Sequence, residues 1–232
     1  PGSKKIWPLA GLAVVLALAG GYWVGRPAYH RFKERRNLTQ AREFIKQGDQ
    51  RSAVLALRQT LAVNPANAEA TRLMAGLASE AQSPAALALW QRVVELSPTF
   101  ENKVMLAAIG LRVEQPPFPI AAQVVEELRL PGETNTSYHL VAAQLAIKLN
   151  RTAEAVAHLE IAARLEPTNR LHQLNLATLR LQSREPAVAE AARGELAALV
   201  ADPVVGEHAL RSLTAEALLA HRLDAALAFS QQ

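Results

Sequence analysis

Apolar positions follow two different rules along this chain. From Ile6 to Gly25 they run together without a single charge, IWPLAGLAVVLALAGGYWVG, for 20 residues. At 1.5 Å per residue a helix of that length spans about 30 Å, the thickness of the hydrocarbon core of a bilayer. Beyond residue 36 the apolar residues are interleaved with polar ones. Few stretches there join β-branched or aromatic residues to a period-two alternation, so the pattern predicts amphipathic helices and an all-α fold. Turn residues cut these helices at Gly48-Asp49, Ser83-Pro84, Pro116-Pro117, Asn150-Arg151, Glu185-Pro186 and around His221-Arg222.

Proline gives the helices a period. Pro65, Pro98, Pro131, Pro167 and Pro203 are spaced by 33, 33, 36 and 36 residues. A repeat near 34 marks stacked helix-turn-helix units. Twelve residues before each proline stand Ala53, Ala86, Pro119, Ala155 and Ala191. Eight before stand Leu57, Trp90, Gln123, Leu159 and Glu195, and five before stand Thr60, Val93, Glu126, Ala162 and Ala198.

On these residues the chain resembles the tetratricopeptide repeat family, whose second helix carries a small, a bulky and a small residue ahead of a proline. SYHLVAAQLAIKLNRTAEAVAHLEIAARLEPTN fits best, through Ala155, Leu159, Ala162 and Pro167. RSAVLALRQTLAVNP and SPAALALWQRVVELSP also fit. The third unit departs from the pattern at Pro119 and Gln123 and lengthens its turn with Gln115-Pro116-Pro117. The fifth places Glu195 at the bulky site, and the family's first-helix aromatic is kept only as Phe44. The resemblance covers about residues 37–232. It implies a right-handed α-solenoid of about five to six helical hairpins, in which small residues let helices approach and Leu57, Trp90 and Leu159 fill the gaps between units. The expected last helix begins at Leu223. No polar capping helix follows it before Gln232, so a longer chain or a partner is expected to cover that end.

The uncharged run admits two readings, a membrane anchor and a cleaved signal peptide. Its length, the aromatics Trp7, Tyr22 and Trp23 at its two ends, and the basic flank RPAYHRFKERR favour the anchor. The expected layout is a tail at 1–5, a transmembrane helix at 6–25, a basic juxtamembrane linker at 26–36 and the repeats at 37–232. Ala13, Ala17, Gly21 and Gly25 share one face of that helix. They form either a packing seat, for a homodimer or another membrane protein, or the chance spacing of an Ala/Gly-rich segment. Two basic residues before the run and five after it favour the cytoplasm over the periplasm for the repeats by the positive-inside rule, against which a short tail with two lysines also begins many chains with exported domains.

Charge narrows the partners. Residues 1–36 carry a net +6, with Glu34 as their one acid, while the other 196 residues hold 18 basic and 20 acidic side chains. The basicity therefore belongs to the membrane flank, and nucleic acid is not an expected partner of the repeats. There is no cysteine, which excludes disulfides, thiolate metal sites and a cysteine nucleophile.

No phosphate loop, zinc-protease motif, EF-hand or nucleophile elbow occurs. His139, His158 and His172 could converge across adjacent helices, although lone helical histidines read more simply as surface or half-buried residues. Glu126-Glu127 reads as a solvated helix face. No cofactor, metal or catalytic residue is expected, and within these residues no enzyme.

What remains is a groove. In the family the first helix of each hairpin lines the surface that grips a peptide or partner helix. Carried over, the lining positions are Arg42, Lys46, Thr71, Ala75, Gln144 and Lys148. Arg42, Lys46 and Lys148 suit an acidic segment, or are solvated faces. The reading is a membrane-tethered protein-binding scaffold or assembly factor of a bacterial inner-membrane complex. It is similar to bacterial membrane-anchored tetratricopeptide proteins of envelope assembly or polysaccharide export. A permanent accessory subunit of a membrane enzyme, and the repeat region of an enzyme whose catalytic domain lies beyond residue 232, stand as alternatives.

Overall fold

A computed structural model of the chain describes residue 27 and residues 29–230. The expected transmembrane helix at 6–25, with its face of Ala13, Ala17, Gly21 and Gly25, lies outside the described residues. Among the described residues no helix is long and apolar enough to cross a membrane.

The described chain is helical throughout, in twelve helices. They are α1 (29–46), α2 (Gln50–Val63), α3 (Ala68–Glu80), α4 (Ala85–Leu96), α5 (Phe100–Val113), α6 (Pro119–Glu127), α7 (Thr136–Lys148), α8 (Thr152–Leu165), α9 (Arg170–Arg180), α10 (Pro186–Leu199), α11 (Gly206–Leu219) and α12 (Leu223–Ser230). Consecutive helices pair as hairpins, and all six expected turns fall between the two helices of a pair. The hairpins form two compact units, α1–α4 up to Pro98 and α5–α12 from Thr99. Residues 29–36 of the basic flank make up the first two turns of α1.

Four of the intra-hairpin turns share one backbone. Gly48, Gln82, Asn150 and His221 each sit in the left-handed region at φ between 50 and 75°. The next amide N–H then bonds back five residues, from Asp49 to the Phe44 carbonyl, Ser83 to Ala78, Arg151 to Ala146 and Arg222 to Ala217, at 2.8–2.9 Å. This is the Schellman ending, which satisfies carbonyls that a helix terminus leaves bare. Only the first of the four uses glycine, although an L side chain in this region costs about 1–2 kcal/mol.

First helices begin by another rule. Asn67, Asn135 and Asn169 cap α3, α7 and α9, and Thr99 caps α5, each side chain accepting a backbone N–H of the first turn. These caps follow the repeat prolines closely, so the proline ends one hairpin and the Asn or Thr starts the next.

The cores show why hairpins must stack. In unit 1, Ala41 of α1, Ala53, Ala56 and Leu57 of α2, and Ala70 and Leu77 of α3 form one buried cluster. In unit 2, Ala143, Leu159 and Leu176 join α7, α8 and α9, and a larger cluster joins α9, α10 and α11. The second helices α2, α8 and α10 are thus each closed between their own first helix and the first helix of the next hairpin. Burying one leucine in such a place contributes about 1.5–3 kcal/mol.

The proline-anchored register holds in three repeats and shifts in two. Ala53, Leu57 and Thr60, then Ala86, Trp90 and Val93, then Ala155, Leu159 and Ala162 are all buried. In α10, however, Ala191, Glu195 and Ala198 are exposed, and Ala192, Leu196 and Leu199 are buried one residue later. In α6 the register moves as well: Pro119, Gln123 and Glu126 are exposed, whereas Ala121 and Val124, and Leu128 just past the helix, are buried. Both helices end four residues before their proline instead of two. The connection sets the proline, and the core sets the helix register.

Candidate functional site

In unit 2 the first helices of three successive hairpins flank a continuous groove. Its first part, about 310 Å³, lies between α7 and α9, with Leu140, Gln144 and Ile147 on one wall, Asn175, Thr178 and Gln182 on the other, and Leu159 of α8 at the floor. Its second part, about 510 Å³, continues between α9 and α11 and shares Thr178 and Gln182, adding Ser212, Glu216 and Leu219. Thr178 and Ser212 stand within hydrogen-bond reach of each other, Oγ1 to Oγ at 3.3 Å.

The groove is mostly apolar and nearly uncharged, with amides and hydroxyls set along it. Gln144, Asn175 and Gln182 offer exposed amides that both donate and accept, the pairing that an extended backbone seeks. Glu216 is the one acid, and it is already held by Arg193 at 3.3 Å and by Arg222. Ile147 and Leu219 are 44% and 84% exposed and add apolar surface beside the amides.

The six expected lining residues divide. Gln144 lines the groove. Lys148 is exposed one turn further on, its Nζ 5.4 Å from the centre of the Phe118 ring. Arg42 is exposed on α1, but its Nε lies 3.0 Å from Glu69 of α3 and the ion pair answers its charge. Lys46 is exposed beside the α1–α2 turn. Thr71 and Ala75 are 3% and 0% exposed, and the Thr71 hydroxyl donates to the Asn67 carbonyl at 2.9 Å, so these two offer a partner no surface. Asn175, Thr178, Gln182 and Ser212 were not among the expected residues. The signal for them was the equivalence of α9 and α11 to α7, whose Gln144 had been singled out.

Two of the three histidines meet. His139 of α7 is buried, with Nε2 3.0 Å from the Glu133 carbonyl and Nδ1 2.9 Å from Nδ1 of His158 on α8. If His139 donates from Nε2, its Nδ1 accepts the Nδ1–H of His158. Burial, and then the neighbouring His139, hold the His158 ring below the usual histidine pKa. The edge of Tyr138 packs against both rings. The pair joins the two helices of its hairpin.

His172 is engaged elsewhere, with Nε2 2.9 Å from the Glu166 carboxylate. Glu166 follows α8. Hydrogen bonds from Asn169, His172 and Thr136 hold its carboxyl down at about 2, from an ordinary 4.5. Its partners stand at the starts of α7 and α9, so the carboxylate ties two hairpins together. A folded-state pKa below the unfolded one contributes stability above about pH 4.5 that is lost as pH falls towards 2. Melting temperature measured against pH is expected to drop across that window, and Glu166→Gln to flatten the drop. Among the described residues no group of three or more His, Asp or Glu is placed to hold a metal.

Stacked hairpins with an alanine-leucine seam, a period of 33 to 36 and a groove along their first helices define a helical-repeat protein of the tetratricopeptide type. No protein-family model matches the chain, and no curated protein sequence does. Among solved structures it is similar to PilW, described as a widely conserved type IV pilus biogenesis factor, at 16% identity over 86% of this chain and 91% of that one, with a TM-score of 0.66. It is also similar to MamA from Desulfovibrio magneticus RS-1, at 13% identity over 72% and 93%, with a TM-score of 0.63. YrrB, described as a TPR protein with an unusual peptide-binding site, matches at 12% identity over 75% and 90%, with a TM-score of 0.60. At these identities the likeness is one of fold, and the fold is that of tetratricopeptide repeat proteins.

Proposed function

We propose that this chain is a non-catalytic scaffold or assembly factor that holds a segment of a partner protein in the α7–α9–α11 groove. The observation that carries this is the groove itself, open, continuous over three hairpins and lined by amides and apolar side chains with no unanswered charge. The names of two proteins of like fold, a pilus biogenesis factor and a peptide-binding repeat protein, fit such a role. A tether through residues 6–25 completes the proposal, in a bacterial inner membrane with the repeats on the cytoplasmic side. It rests on the length of the uncharged run and on the basic residues after it. A tether would raise the effective concentration of the groove for other membrane-bound proteins without adding a contact.

The groove is tested with a photo-crosslinking residue at Gln182, and at Ala191 on α10 as the control, in cells of the source organism. The expected result is a discrete cross-linked product at 182 and not at 191, reduced at least tenfold by Asn175→Arg. Equal products at both sites, or none at 182, would overturn the reading. The facing compartment is read separately from a Gln59→Cys variant and a membrane-impermeant maleimide, with labelling expected only after the inner membrane is opened.

A second reading, a permanent accessory subunit, is favoured by one observation. Leu218, Leu219, Leu223 and Leu227 on the α11–α12 hairpin are each more than half exposed. Co-purification that survives detergent and high salt would support this reading over transient recruitment.

A further inference from the structure

The start of α1 presents an unusual face. Among residues 29–36 only Glu34 is turned towards the rest of unit 1. Its carboxylate accepts from Nδ2 of Asn64 at 2.8 Å and of Asn67 at 2.6 Å, in the connection between α2 and α3. At 3.6 residues per turn, Tyr29, Phe32 and Arg36 lie about 140–160° around the helix from Glu34, within about 60° of one another. Lys33 and Arg35 flank them on either side. Tyr29 and Phe32 are each 63% exposed, and Arg31, Lys33, Arg35 and Arg36 are exposed as well. Glu34, the only acid in residues 1–36, points away from this face.

We infer that the outward face of residues 29–36 docks on an anionic lipid surface, with Tyr29 and Phe32 seated among the headgroups and Lys33, Arg35 and Arg36 against lipid phosphates. Two large aromatics at helical spacing gain nothing in water, whereas amphipathic rings prefer the membrane interface. Arg36 shares the face of the rings, and Lys33 and Arg35 stand at its two edges. Each basic side chain near an anionic leaflet strengthens attachment by roughly fivefold, an effect that salt screens. Position complements charge, because Tyr29 is four residues past the end of the uncharged run at Gly25. The inference rests on the tether proposed above and deepens it. The helix would lie along the bilayer and fix how unit 1 stands on it, instead of hanging from a free linker.

The test uses the full chain, which has no cysteine, carrying Phe32→Cys labelled with bimane. It is reconstituted in phosphatidylcholine vesicles with and without about a third of phosphatidylglycerol. The expected result is a blue-shifted emission, quenched by a headgroup-level nitroxide lipid, in the anionic vesicles. Quenching should fall at least threefold without the anionic lipid, in high salt, or when Lys33, Arg35 and Arg36 are all changed to Gln. A water-like emission in both lipids, with the chain still resistant to carbonate extraction, would overturn the docking face and leave the tether standing. Equal quenching in both lipids would overturn recognition of lipid charge. A blue shift without quenching would place the face against protein and overturn the inference. If carbonate extracts the chain from every vesicle, the tether fails by itself. Docking is then decided by flotation of the extracted chain with anionic vesicles, where salt-sensitive flotation supports it and absence of flotation overturns it.

Discussion

Trp90→Ala is expected to lower the unfolding free energy by about 3–5 kcal/mol, read from urea denaturation. Trp90 is 5% exposed on α4, where it holds the place of the bulky residue in the second hairpin. Its Nε1–H donates to the Ser79 hydroxyl at 2.9 Å, and that hydroxyl donates to the Ala75 carbonyl at 2.8 Å. Alanine would leave a cavity the size of an indole and remove the bond that the half-buried Ser79 hydroxyl accepts. Trp90→Phe separates the two effects, since it keeps much of the packing and loses the hydrogen bond, which is worth about 1 kcal/mol. A loss below about 1 kcal/mol for the alanine variant would mean that the α3–α4 hairpin closes without this ring.

The second large effect is at Leu196, and its neighbour is the control. Leu196→Ala is expected to cost about 2–5 kcal/mol, because Leu196 is fully buried in the α9–α10–α11 cluster with Ala177, Ala192 and Leu213. Glu195→Ala should change stability by less than about 1 kcal/mol. Glu195 is exposed and makes only a loose ion pair with Arg180, at 3.6 Å. Thermal and urea melts of the two variants decide the helix register of the fifth repeat. The opposite order would restore the proline-counted register, in which position 195 is the bulky site.

These two positions also show how far the sequence could be read. The proline period, the helical hairpins and all six intra-hairpin turns are legible, because Pro and Gly act locally on the backbone. Repeats whose second helix ends two residues before the proline give the right core residues as well. The sixth and tenth helices do not, since two extra residues separate helix from proline, and only packing against neighbouring helices fixes which side faces inward. The groove fails for the same reason. Gln144 and Thr71 look alike as first-helix positions, yet one lines an open cleft and the other is sealed in the core. The meeting of His139 with His158, and the separate employment of His172, depend on neighbours that are distant in sequence or across a turn. The capping residues, in contrast, are legible in the sequence. An Asn or Thr within four residues of each of the first four repeat prolines is a helix-start signal in its own right.

The four Schellman turns carry a consequence for how such a chain grows. Gly48, Gln82, Asn150 and His221 are different residues in one backbone geometry, so the joint is imposed by the docking of the two helices it connects more than by the residue within it. A joint of that kind is interchangeable. A gene segment encoding one hairpin, cut between a repeat proline and the next and inserted elsewhere in the array, would bring an elbow that already fits. Lineages carrying this chain are therefore expected to differ by whole hairpins gained or lost within a unit, with insertions inside the α7–α8 and α11–α12 turns being rare.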